Sequence, residues 1–168
     1  MNDAKILGHG FDFHEMNHTW MFSNSTMGGE GSDVAIQGSS SVVSDLTIDA
    51  CDIFDYFENK IKFLKNNGIK DEQIIIDPGI GFGKTLEHNL EIISKISLFH
   101  SLGYPIMVGP SRKSFIGKIM GEKDNPQRLG GTIASILYSY LQGIQLFRVH
   151  DIQETNEALK VYSQFLKQ

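Results

Sequence analysis

The sequence predicts an α/β fold with a parallel sheet, and three observations predict it. Three short apolar runs, Gln73 to Ile76, Pro105 to Val108 and Gln145 to Val149, are too brief for helices and read as buried strands. They are apolar along their length rather than alternating, as in parallel sheets covered on both faces. A stretch with apolar residues at helical spacing follows each one, the strand-then-helix order of a parallel sheet with crossover helices.

The elements follow in order. Ile53, Phe54, Phe57, Ile61 and Leu64 recur at helical spacing and predict an amphipathic helix that stops near Asn67-Gly68. The first strand then ends at Asp77-Pro78-Gly79. A second helix uses Leu90, Ile93, Ile96 and Phe99, and the second strand ends at Gly109-Pro110. One or two helices run through Phe115, Ile116, Ile133, Ile136, Leu137 and Tyr140. The third strand leads to a last helix carrying Ile152, Leu159, Tyr162 and Phe165.

Residues 1–48 differ from residues 49–168. They are rich in serine and hold His9, His14 and His18, with Lys5 the lone cation against several acids. No helical or strand period persists there, and the best strand candidate is Val34-Ala35-Ile36. Such a segment buries too little apolar surface to offset chain entropy, so poor order is expected.

At 168 residues, 40% apolar and 21% charged, the chain has the makeup of an ordinary globular protein. A net charge of −5 argues against nucleic-acid binding through bulk electrostatics. No apolar run approaches the ~20 residues that span a bilayer. Neither a secretory signal nor a disulfide framework is legible, since Cys51 stands alone. A cytoplasmic location is expected.

The chemistry gathers at strand ends. Asp77 follows the first strand, Ser111-Arg112-Lys113-Ser114 the second, and Arg148 and His150 close the third. Parallel α/β folds bind ligands outside the carboxyl ends of their strands. Asp77 reads either as a turn former or as a buried carboxylate accepting two N–H bonds from a planar edge. Gly79-Ile80-Gly81-Phe82-Gly83-Lys84-Thr85 is no phosphate loop, because Pro78 holds the place of its first glycine. It reads as a flexible loop that lets backbone and Phe82 approach a flat ligand, with Lys84 solvated.

A serine at the Ser111–Ser114 junction reads as a helix N-cap, and the helix start beside fixed cations also suits an anion. Arg148 and His150 alternate about Val149 and share a face, which suits an anionic leaving group. Asp151 either pairs with Arg112 or caps the last helix, and capping is preferred. Lys65, His88, His100 and the three N-terminal histidines read as incidental.

From about Asp52 to the C-terminus, four ordered motifs resemble those of the dihydropteroate synthase family. They are Asp77 through Thr85, continuing into Glu87-His88-Asn89; Gly109 through Gly117, with its Ser-Arg-Lys run; Arg128-Leu129-Gly130-Gly131-Thr132; and Arg148-Val149-His150-Asp151. The resemblance implies a (β/α)8 TIM barrel, here incomplete, of which this chain supplies the last three βα units. It implies condensation of 6-hydroxymethyl-7,8-dihydropterin pyrophosphate with para-aminobenzoate to give 7,8-dihydropteroate and pyrophosphate, with Mg²⁺ assisting.

It also implies roles. Asp77 binds the pterin amino and ring N–H edge, and Phe82 lines the aminobenzoate and sulfonamide region. Gly109 belongs to the substrate-binding set. Lys113 meets the pterin carbonyl side, and Ser114 lies near the aminobenzoate carboxylate. Arg148 stacks on the pterin and meets pyrophosphate, which His150 also binds. Lys113, Arg148 and His150 form the catalytic group.

The family's N-terminal motifs, including the Asn that ligates Mg²⁺ and a covering loop, have no counterpart here, so no metal ligand is assigned. Two other readings stay open: a truncated, non-catalytic pterin-binding fragment, and the pterin-binding domain of a methyltransferase. The Ser-Arg-Lys run with Arg148 and His150 speaks against the methyltransferase, which needs no pyrophosphate site. An unfinished barrel exposes sheet edge and apolar surface, so self-association or a homodimer is expected.

Overall fold

The computed structural model describes residues 5–8, 34–37, 50–121 and 128–167. The chain runs β1 (Lys5–Gly8), β2 (Val34–Gln37), α1 (Ala50–Asn66), β3 (Ile74–Asp77), α2 (Leu86–Ser94), β4 (Met107–Val108), α3 (Ser114–Met120), α4 (Leu129–Leu141), β5 (Leu146–Val149) and α5 (Ile152–Phe165).

All strand pairs are parallel. β2 pairs with β3, with Ile36 opposite Ile76, and β4 pairs with β5, with Val108 opposite Phe147. A bridge from Ile76 to Ile106 joins the two groups, and the Ile76 N–H donates to the Pro105 carbonyl at 2.9 Å. β1, first in the chain, lies against β5, the last strand, with Ile6 opposite Phe147. The spatial order is therefore β2-β3-β4-β5-β1. Pairing of first and last strands is what closes a barrel; an open sheet does not need it. The five described strands form part of a barrel that has eight when complete.

The three predicted strands are all present, the first shifted by one residue and the other two shorter than their apolar runs. Gln73 ends a 3-10 turn (Asp71–Gln73), and only Met107 and Val108 keep ladder geometry in β4. The candidate strand Val34-Ala35-Ile36 is β2. β1 was not legible: four residues carry no period, and the strand exists through its pairing with β5. Thus the segment of residues 1–48 adds two strands to the three expected from the rest, and its other residues, the three histidines included, lie outside the described ones.

The second predicted helix is two pieces. α2 ends at Ser94, and Ile96–Leu102 continues as a 3-10 helix that stops at Gly103, whose φ is +82°. The change of winding turns Ile96 and Phe99 into the core, where Phe99 meets Phe57 of α1 edge to face at 5.8 Å. α1 presents Ile53, Phe57, Ile61 and Leu64 to the same core, as its spacing predicts. From the sheet, Ile74, Ile76, Ile106, Val108, Phe147 and Val149 complete it. The third helical region is two helices. α3 stops at Gly121, with φ +69°.

His88 and His100, read as incidental, are both used. Thr85 Oγ1 accepts from the His88 N–H at 3.2 Å while the His88 ring reaches the Thr85 N–H, a capping box at the start of α2. His100 Nε2 meets the Gln142 carbonyl at 2.8 Å, tying the 3-10 helix to the end of α4. No described helix is long and apolar enough to cross a membrane.

Candidate functional site at the carboxyl ends of the strands

β3, β4 and β5 end on one rim, and the loops beyond them carry the polar groups. Asp77, last residue of β3, is 1% exposed. Its Oδ1 accepts from the Gly79 N–H at 2.8 Å, the turn-forming bond the sequence suggested. Its Oδ2 is buried and has no hydrogen-bond partner among the described residues. The turn-forming reading thus holds for Oδ1, and Oδ2 remains a buried acceptor. A buried acceptor without a donor costs free energy unless a ligand supplies one. Burial raises the Asp77 pKa above the ordinary carboxylate value, against the pull of the Gly79 N–H and of Arg148, Lys84 and Lys113.

The 79–85 loop is shaped by two residues. Asn89 of α2, buried, accepts from the Gly81 N–H on Oδ1 at 2.6 Å and donates to the Thr85 carbonyl from Nδ2 at 2.5 Å. Lys84, expected to be solvated, is half-buried and donates to the Gly79 carbonyl at 3.0 Å and the Phe82 carbonyl at 3.3 Å. Those carbonyls converge where the loop's glycines let it turn, which draws the ammonium inward. Burial lowers its pKa to about 8, with Asp77 opposing and Lys113 reinforcing the shift.

The loop presents Phe82, 40% exposed, as a platform. Lys113 Nζ stands 3.4 Å above its ring centroid and Arg148 Cζ lies 5.9 Å from it. Gly81 (φ +77°) is required here: a Cβ would stand 2.6 Å from Lys113 Cδ. Gly109 likewise admits Arg148, whose Nε would be 3.2 Å from a Cβ at that position. Burial and the Arg148 charge lower the Lys113 pKa, and Asp77 raises it. Asp77, Phe82, Gly109, Lys113 and Arg148 thus form one group. Ser114, the first residue of α3, is exposed and lines an open cleft with Gly81, Lys84, Glu87 and Lys118.

His150 belongs to a second corner. Ser111 Oγ accepts from the His150 N–H at 3.1 Å and meets its ring Nδ1 at 2.9 Å. The neighbouring residues pair as well: Arg112 Nε donates to Asp151 Oδ2 at 3.2 Å, and Nη2 to Oδ1, a two-pronged bond. Two expectations are corrected. Asp151 does not cap α5 with its side chain, because Arg112 occupies both of its oxygens. No serine caps α3 either; Lys113 holds that position, and Ser111 is turned to His150.

The Arg128–Thr132 motif, which carried no role in the sequence, braces this corner. Thr132 Oγ1 accepts from the Arg112 N–H at 3.0 Å, and Arg128 Nη1 donates to the Arg112 carbonyl at 3.0 Å. Both Arg112 backbone groups are thereby held in a left-handed conformation (φ +58°) that a non-glycine residue rarely adopts. A polar residue on the face of a helix beside the loop was the available signal for both Asn89 and Thr132.

Among the described residues, no group of three His, Cys, Asp or Glu side chains is placed to hold a metal ion. The described rim thus offers no cluster of side chains for a Mg²⁺ held by protein ligands alone.

A buried acceptor, an aromatic platform, two cations above it and a His–Ser pair stand together at the strand ends of an α/β-barrel fold. The chain belongs to the pterin binding enzyme family, whose model matches residues 44–150. It is similar to the dihydropteroate synthase of Synechocystis, with 41% identity over 106 residues, 63% of this chain and 37% of the relative. Among solved structures it is similar to a Xanthomonas albilineans dihydropteroate synthase with 4-aminobenzoic acid, at TM-score 0.75 and 29% identity. That match covers 80% of this chain and 50% of the other. A Yersinia pestis dihydropteroate synthase with a pterin–sulfa conjugate matches at TM-score 0.75 and 31% identity, over 82% and 53%. The chain thus spans about half or less of the length of these relatives.

Proposed function

We propose that this chain carries the pterin floor and pyrophosphate corner of a dihydropteroate synthase, and that it condenses 6-hydroxymethyl-7,8-dihydropterin pyrophosphate with para-aminobenzoate. The observation that carries the reading is Asp77 Oδ2, a buried acceptor in the field of Lys113 and Arg148, the two cations that stand over Phe82. A pterin edge offers it the paired N–H donors it lacks. Lys113 then serves the pterin carbonyl side, Phe82 and Ser114 the aminobenzoate, and Arg148 and His150 the departing pyrophosphate. The amine nitrogen forms a bond to the methylene carbon as the carbon–oxygen bond to pyrophosphate breaks, and the amine's proton is lost. Positioning and charge neutralisation supply the rate, since pyrophosphate is already a competent leaving group.

The relatives crystallised with 4-aminobenzoic acid and with a pterin–sulfa conjugate support these substrates and sulfonamide competition for the same place. Mg²⁺ enters this reading as a companion of the substrate's pyrophosphate. A cytoplasmic location is part of it. So is self-association, which the exposed Tyr138 and Leu141 of α4 and Val161 and Phe165 of α5 support.

A coupled assay of pyrophosphate release from both substrates, with Mg²⁺ present, tests the reading. Release that disappears in Asp77→Asn and in Lys113→Ala is expected; release that survives both variants contradicts the site. Pterin binding without pyrophosphate release would instead identify a non-catalytic pterin-binding fragment.

A further inference from the structure

Arg128, at the N-terminal cap of α4, has a left-handed backbone (φ +39°), and its side chain lies back across α3. A Cβ at Gly117 would stand 2.7 Å from Arg128 Nε, 2.7 Å from Nη2 and 2.8 Å from Cζ. The remaining nitrogen, Nη1, donates to the Arg112 carbonyl at 3.0 Å. Gly117 is buried within α3, where alanine favours the helix more and no positive φ calls for glycine. The guanidinium lying against it is the reason the structure offers for a glycine there.

The target of the bond gives it meaning. The Arg112 carbonyl belongs to the planar peptide that carries the Lys113 N–H, so holding the oxygen fixes how Lys113 leaves the turn. Arg112 is left-handed itself (φ +58°), a conformation that persists in a non-glycine residue only where its surroundings impose it. From this turn the Lys113 side chain runs along Gly81 to place Nζ 3.4 Å above the Phe82 ring centroid.

We infer that Arg128 is a positioning residue for Lys113, acting through the Arg112–Lys113 peptide, and that Gly117 is glycine so that α3 admits its guanidinium. Thr132 holds the Arg112 N–H from α4, so the two bonds fix the peptides on either side of Arg112. That Lys113 meets a pterin rests on the proposed function; its placement by Arg128 does not.

The test reads Lys113 directly, by NMR of the full chain with ¹³C-labelled lysine. An ε-methylene held over an aromatic face is shifted upfield by the ring. The Lys113 signal is assigned by its loss in Lys113→Arg, and the source of its shift by return to the ordinary position in Phe82→Leu. Gly117→Ala, which displaces only the flexible end of Arg128, and Arg128→Met are each expected to lose most of the shift. Gly130→Ala, whose Cβ would meet nothing within 4 Å, should keep it. Fluorescence titration with a pterin should show affinity about tenfold weaker in Gly117→Ala and in Arg128→Met, the worth of one hydrogen bond. The double variant should lose no more than either alone, because both changes remove the same bond.

A folded Gly117→Ala or Arg128→Met that keeps the wild-type Lys113 shift overturns the inference, as does a wild type in which Phe82 shifts no lysine methylene. Should one variant not fold, the other decides alone; failure of both to fold would make Arg128 a folding residue and remove the positioning role. The shift lost in the variants, with no pterin bound by the wild type, would uphold Arg128 and remove the pterin from the proposed function.

Discussion

The loop after β3 and the corner joining β4 to β5 are built by opposite means. In the first, partners are near in sequence: Gly81 and Asn89 are 8 apart, Lys84 and Gly79 5 apart, Asp77 and Gly79 2 apart. In the second, Ser111–His150 and Arg112–Asp151 each span 39 residues, and Thr132 reaches Arg112 across 20. A local loop can keep its shape while the sheet around it varies. The corner exists only when β4 and β5 are in register.

The largest expected effect lies in the local region. Asp77→Asn turns an acceptor pair into one that includes a donor facing the pterin's own N–H groups. Pterin affinity should fall about a hundredfold, near the upper worth of a hydrogen bond to a charged group. Fluorescence titration with a pterin measures it. Affinity within a factor of two of the wild type would show that Oδ2 does not face the ligand.

Next comes Asn89→Ala, which leaves the Gly81 N–H and the Thr85 carbonyl without their partner. Urea unfolding should lose about 1–3 kcal/mol, as for a buried polar group left unmade. A loss as large in Asp151→Asn would blur the contrast. That change is expected to weaken pyrophosphate binding severalfold with little effect on the melt, because Arg112 is partly exposed and its pair with Asp151 orients a surface loop.

The smallest effect concerns pH. Lys84 titrates near 8 in the folded chain, below its ordinary 10.5. Between those values the unfolded state binds more protons than the folded one, so this group makes stability rise with pH. Below about 8 both states are protonated and the cost of burying the ammonium is fully present. Lys84→Met should therefore gain most over the wild type at neutral pH, the gap narrowing toward pH 10.5. Melts across that range check it, and a gap that widens would reverse the sign.

The same contrast explains what could be read from residues alone. The strand ends at Asp77, Lys113 and Arg148 were legible, because an apolar run followed by a polar cluster marks them. Lys84 was misjudged because its acceptors are backbone carbonyls, which the sequence leaves unplaced. A serine of the 111–114 run and Asp151 read as caps because capping is a local habit, whereas the partners of Ser111 and Asp151 lie 39 residues away. β1 was invisible for a related reason: Ile6 and Leu7 become a strand only beside Phe147 and Arg148.

Three strand ends make one rim around Asp77 Oδ2, which we propose binds the pterin. The most direct test is fluorescence titration of the full chain with the pterin pyrophosphate, beside Asp77→Asn and Arg148→Ala. Saturable binding that both variants weaken, Asp77→Asn the more strongly, is what the arrangement predicts. No saturable binding by a folded wild-type chain, or binding indifferent to Asp77, would contradict it.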